Sequence, residues 1–83
     1  MELQTSLPPR LRKQRFNPPE AAEYLMEAHG VSVAVATLNK ARSVGGGPKF
    51  QKFGRAVLYR REDLDAWAME KLGTPLTNTS ERQ

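Results

Sequence analysis

Apolar positions fall into three stretches of helical period, interrupted by one short alternating segment. Ala21, Leu25 and Ala28 recur at i, i+4 and i+7, with Ala22 and Tyr24 at the edges of the same face. Asn17 stands before them as an N-cap and Pro18 takes the first helical position, where its missing N–H costs nothing. Glu20 falls at the third position, which completes a capping-box spacing. Gly30 ends this first helix by tolerating positive φ. His29, in the last turn, complements the helix dipole. A second helix is expected from a Ser32 cap to about Val44, with Ala34, Leu38 and Ala41 as its buried stripe and the poor helix formers Val33 and Val35 in its first turn.

Gly45-Gly46-Gly47-Pro48 then breaks the periodicity. A glycine triplet suggests a phosphate cradle, but the GxxxxGK[ST] spacing is missing and no strand leads through it into a helix, so it reads as a connector. Phe50-Gln51-Lys52-Phe53 and Ala56-Val57-Leu58-Tyr59 are two β-compatible runs joined by Gly54-Arg55, a spacing that suits a type II′ hairpin with Arg55 at its tip. A third helix starts near Arg61 to Glu62, with acids in its first turn, and Leu64, Trp67, Ala68 and Leu72 on one face. Trp67 is the largest apolar group and is expected to anchor the core rather than to stack on bases. Gly73 and Pro75 stop this helix. The expected division is a flexible basic arm at 1–16, a folded domain at 17–73 and a disordered tail at 74–83.

Eighty-three residues allow one small domain. The absence of cysteine excludes disulfides and thiolate zinc sites, and a single histidine argues against a multi-histidine metal site or a Ser-His-Asp triad. No catalytic residue, metal site or cofactor is therefore expected, and no small-molecule substrate. No apolar run approaches the roughly 18 residues of a membrane span, and the N-terminus lacks a signal-peptide core, so a cytoplasmic, nucleoid-associated protein without membrane contact is expected.

Charge changes the picture most. Residues 32–61 carry seven bases (Lys40, Arg42, Lys49, Lys52, Arg55, Arg60 and Arg61) and no acid. The acids flank this block, as Glu20, Glu23 and Glu27 before it and Glu62, Asp63, Asp65 and Glu70 after it. Such concentration suits a polyanion surface, because each base placed on a phosphate releases a condensed counterion. Opposite Leu38 on the second helix lie Ala36, Lys40 and Ser43, with Thr37 and Asn39 at the margins. This face of small, polar and basic residues would let the helix approach a groove closely. The candidate DNA-binding set is Ala36, Thr37, Asn39, Lys40, Arg42 and Ser43 of the helix with Lys52, Arg55 and Arg60 of the hairpin. Arg10, Arg12, Lys13 and Arg15 of the arm would add backbone contacts.

Helix, second helix, β-hairpin and closing helix make a small α+β, mainly helical domain in winged helix-turn-helix order, three helices with a two-stranded wing. The run Thr37-Leu38-Asn39-Lys40-Ala41-Arg42, then Gly46-Gly47-Pro48, Phe50, Lys52-Phe53-Gly54-Arg55, Val57 and Tyr59-Arg60-Arg61-Glu62-Asp63-Leu64-Asp65-Ala66-Trp67, resembles the excisionase and AlpA-like group of MerR-related winged helix-turn-helix proteins. Pro18-Pro19-Glu20-Ala21-Ala22-Glu23-Tyr24-Leu25 is similar to the first helix of that group, so the likeness covers about residues 17–72. It implies double-stranded DNA binding in phage, plasmid or integrative-element biology, as a recombination directionality factor or a small transcription regulator. It implies neither catalysis nor a cofactor. An integrase or recombinase, or RNA polymerase, is the protein partner to expect. The segment from Met26 to Ala36 is longer than the family's usual compact turn, and the second helix carries one long base on its outer face, so modest base specificity is expected. No heptad segment follows the third helix, which predicts a monomer that assembles cooperatively on DNA. The alternative function is a protein-interaction adaptor that keeps the fold.

Overall fold

The capping box at Asn17 forms as the spacing predicts: Asn17 Oδ1 accepts from the Glu20 N–H at 2.9 Å, and Glu20 Oε1 accepts from the Asn17 N–H at 2.9 Å. The structure, a computed structural model, describes residues 7–77 of the chain. Its elements in order are β1 (Arg15–Phe16), α1 (Pro18–His29), α2 (Val35–Val44), β2 (Gln51–Phe53), β3 (Ala56–Arg60) and α3 (Arg61–Leu72), preceded by a single 3-10 turn at Pro9–Leu11. Three helices and one antiparallel sheet make an α+β fold. β3 is the central strand, paired with β2 on one side and β1 on the other.

The third strand corrects the expected flexible arm. Residues 7–16 fold back on the domain: Leu7 is 2% exposed, and Leu11 and Phe16 are fully buried. Pro8 and Pro9 fix φ and open the turn, which closes with Leu11 N–H to Pro8 O at 2.9 Å. Phe16 lies opposite Tyr59 across the β1–β3 pair and stacks on Tyr24, with ring centroids 4.8 Å apart. The Arg61 N–H donates to Gln14 O at 2.9 Å, so this segment also binds the start of α3. Residues 1–6 of the expected arm, and 78–83 of the expected tail, lie outside the described residues; residues 74–77 are exposed.

Two further expectations need correction. The second helix starts at Val35 behind Ala34, not behind Ser32, and no side chain caps it. Gly30, at φ 69, lets its N–H reach Met26 O at 2.9 Å and the next N–H reach Leu25 O at 3.2 Å. The chain leaving that cap has no regular structure until the extended Ala34, and Val31 and Val33 pack against the core there. Trp67 is not the core anchor. The inward residues of α3 are Leu64 and Ala68, one turn apart, and Trp67 packs partly buried at the margin. The anchors are Tyr24, Tyr59 and Phe16 with five leucines, Leu7, Leu11, Leu25, Leu38 and Leu64.

One polar joint ties α1 to α3. Tyr24 donates its hydroxyl to Asp65 Oδ1 at 2.7 Å, and His29 Nε2 lies 2.7 Å from the same oxygen. His29 thus has a partner in addition to the helix end it was assigned. Burial, and then the Asp65 hydrogen bond and charge, push the Tyr24 hydroxyl above its ordinary value.

Leu11→Ala should destabilise the domain by about 2–5 kcal/mol, the usual range for truncating a buried leucine. A urea titration checks it, and a change within about 0.5 kcal/mol would return residues 7–16 to the status of a free arm. Because the folded state holds the Tyr24 proton more tightly than an unfolded chain does, the stability linked to it is complete below about pH 10 and is lost as pH rises further. The urea midpoint should therefore decline above that pH, and Tyr24→Phe should decline less steeply.

Candidate nucleic-acid interface

α2 turns Leu38 into the core and leaves Ala36, Thr37, Asn39, Lys40 and Ser43 exposed. This outer face agrees with the helical spacing despite the later start, because the shift removes residues only from the first turn. Arg42 behaves differently. Its Nη1 donates to the Tyr59 hydroxyl at 2.8 Å, and its guanidinium lies 6.0 Å from the Phe50 ring centroid. It joins α2 to the sheet, with part of its surface still open.

The glycine connector is fastened rather than loose. A Cβ at Gly47 would come within 2.7 Å of Ala41 Cβ, so only glycine allows the loop to lie this close to α2. Trp67 Nε1 donates to Gly46 O at 2.8 Å, and Pro48 is buried. The chain thus enters β2 from a held position.

The hairpin takes the expected two-residue loop. Phe53 pairs with Ala56 across Gly54 and Arg55; Gly54 has φ 65, and no non-glycine residue among those described has positive φ, as a type II′ turn requires. Lys52 pairs with Val57, which puts its side chain on the same sheet face as Val57 and Tyr59. Arg42 of α2 reaches that face, bonding the Tyr59 hydroxyl and lying 6.0 Å from the Phe50 ring centroid. Lys52 therefore extends the α2 side of the sheet outward, and Arg55 sits at the tip. Lys40, Lys52 and Arg55, with Lys49 between them in sequence, are exposed. Their side chains form no ion pair or hydrogen bond among the described residues.

Arg60 does not join this group. It points to the opposite sheet face, where Nε donates to Asp63 Oδ2 at 2.8 Å, Nη2 donates to Asp63 Oδ1 at 3.1 Å, and Nη1 lies 3.2 Å from Glu62. The Asp63 hydrogen bonds, and then the Asp63 and Glu62 charges, raise its pKa further. The arm bases are likewise engaged within the fold. Arg10 forks onto Glu23, Lys13 bonds Glu20 at 2.9 Å, Arg12 donates to Leu7 O at 2.8 Å, and Arg15 donates to Gln51 Oε1 at 2.9 Å. Partial burial works against the Glu20 carboxylate, yet the Asn17 N–H and Lys13 hold it below its usual range. A signal for this existed: Arg10 and Lys13 are three apart, and so are Glu20 and Glu23, which suits two antiparallel ion pairs.

Two bases omitted from the candidate set border the surface. Lys71 of α3 lines, with Thr37, Lys40, Val44 and Trp67, an open depression of about 400 Å3. Lys49 lines a smaller one across Trp67, beside Asp63 and Glu70. Lys71 stands one helical turn beyond Trp67, and that spacing was its signal. Among the described residues, no cluster of three His, Cys, Asp or Glu could hold a metal, and no helix is long and apolar enough to cross a membrane. No protein-family model matches this chain, and no curated protein is significantly similar to it.

Proposed function

We propose that this protein binds double-stranded DNA through α2 and the β2–β3 hairpin. The observation that carries the reading is the division among its bases. Those of the N-terminal segment and Arg60 are satisfied inside the fold, whereas Lys40, Lys49, Lys52 and Arg55 have no partner among the described residues. A face of small residues with Asn39 and Lys40 suits entry of α2 into a major groove, and the hairpin tip would lie along the adjacent backbone or minor groove, as in winged helix-turn-helix proteins. The resemblance to excisionase and AlpA-like proteins supports the same reading. It favours a recombination directionality factor or a small transcription regulator, a monomer that assembles cooperatively on its site beside an integrase or RNA polymerase. The second reading, a protein-interaction adaptor, draws on exposed Met69, Leu72 and Leu76 at and beyond the end of α3.

Fluorescence anisotropy of a labelled duplex at several salt concentrations separates the two. Lys40→Ala and Arg55→Ala should each weaken binding and each reduce the log–log salt slope by about one phosphate contact. Arg60→Ala should leave that slope nearly unchanged and lower the melting temperature instead. Affinity for duplex DNA that is absent at low salt, or untouched by both Lys40→Ala and Arg55→Ala, would refute the DNA reading and favour the adaptor.

A further inference from the structure

The chain has six aromatic side chains, and five have a place within the fold. Phe16 stacks on Tyr24, Phe50 faces Tyr59, and Trp67 is bonded to Gly46. Phe53 has no ring partner among the described residues and is 79% exposed, the most exposed of the large apolar side chains there. It is the last residue of β2, directly before the hairpin turn, with Lys52 on one side and Arg55 two positions on. β2 is the sheet edge, and the register turns Phe53 to the face opposite Lys52 and the core, where Ala56 is its exposed cross-strand neighbour. A phenyl ring held there contributes nothing to the core. Its burial becomes favourable only when a partner covers it. Lys52 on the opposite face of the ribbon and Arg55 in the turn favour a polyanionic partner at this tip over an apolar protein surface.

We propose that Phe53 is a wedge that enters a base step of duplex DNA at the hairpin tip, unstacks it and bends the helix. The inference rests on the DNA-binding reading and adds to it the source of sequence preference. With the tip in the minor groove, Lys52 and Arg55 meet the phosphates of the groove walls and the ring meets the base edges, the arrangement by which apolar wedges kink duplexes. Unstacking is easiest at flexible pyrimidine–purine steps such as TA and CA. Preference would then come from deformability. That suits an α2 whose outer face carries Asn39 and Lys40 but otherwise only small side chains. The turn helps as well: Gly54 and Arg55 form a tight two-residue loop, so the ring is carried at the end of a paired ribbon and not on a loose loop.

The test uses the full chain and a duplex with 2-aminopurine beside a central TA step and a fluorophore pair at its ends. The wild-type chain should raise the 2-aminopurine emission and shorten the end-to-end distance on binding. Phe53→Ala should abolish both signals and weaken binding about tenfold, the scale of one lost base–aromatic contact. Its salt slope should stay unchanged, because no charge is removed, and its melting temperature should match the wild type, because the ring is exposed. Phe53→Leu, which keeps an apolar wedge, should retain part of the bend. If the wild type binds with the expected salt dependence but neither signal appears, and Phe53→Ala binds equally well, the wedge is overturned and the DNA reading stands. If the wild type binds no duplex at all, the DNA reading falls and takes the wedge with it. If the wild type sediments as a dimer that Phe53→Ala dissolves, the ring is a contact between copies, and the wedge is overturned in that case too.

Discussion

Tyr59 imposes the constraint on which the rest of the structure depends. Its ring is fully buried on the central strand, opposite Phe16 of β1 and beside Phe50 at the entry to β2. A buried tyrosine needs a partner for its hydroxyl, and the partner here is Arg42 of α2 at 2.8 Å. One side chain thus joins both outer strands to the second helix. It does so in a small domain whose core, among the described residues, is too limited for any element to be held independently. α3 follows β3 without a linker, since Arg60 ends the strand and Arg61 begins the helix. The relation between hairpin and α2 is therefore set by the core and not by loop flexibility.

Charge is divided along the same lines. Glu20, Glu23, Glu62 and Asp63 each meet a base of the N-terminal segment or Arg60, and Asp65 is taken by Tyr24 and His29. Most of these pairs are exposed and add little to stability. Their consequence is spatial. Five of the seven described acids are thus occupied elsewhere, and the lysines of the α2–hairpin face and Arg55 project without an ion pair among the described residues, although Glu70 lines the same depression as Lys49. Net charge alone could not have revealed this, because the structural and the unpaired bases lie interleaved in sequence.

The sequence made legible most, though not all, of what depended on local chemistry; the expected Ser32 cap did not form. The Asn17–Glu20 box, the Gly30 stop, the Gly54-Arg55 turn and the start of α3 all follow from residue types at fixed short spacings, and all are present. What it hid was set by tertiary packing. Leu7, Leu11 and Phe16 share no single period, because they belong to an irregular turn and a two-residue strand, and the prolines and bases around them imitate a solvated arm. Trp67 was overvalued by size. At one helical step from Ala68 it faces sideways, and its N–H is satisfied by a loop carbonyl that no helical wheel includes. The outer face of α2 was legible even though its start was not, because one buried residue, Leu38, sets the phase for the whole helix. Arg42 and Arg60 could not be sorted from Lys40 and Lys52 by spacing, since their partners lie across the fold or depend on the direction in which a strand ends.

The same economy bears on how the proposed surface would act. A helix that meets DNA mainly through small side chains can come close but reads few base edges, because alanine and serine reach less far than arginine or glutamine. Selectivity must then depend on features the duplex itself supplies, its groove width and its resistance to bending. A hairpin whose base is locked through Tyr59 and whose tip carries charge on one face and a bare phenyl ring on the other is mechanically suited to probe such features. A stiff lever transmits binding energy into deformation, whereas a loose loop would yield first. In the proposed mode of binding, the buried hydroxyl of Tyr59, held by Arg42, would keep the base of the ribbon on α2 while the exposed ring of Phe53 is offered to the base step at its tip.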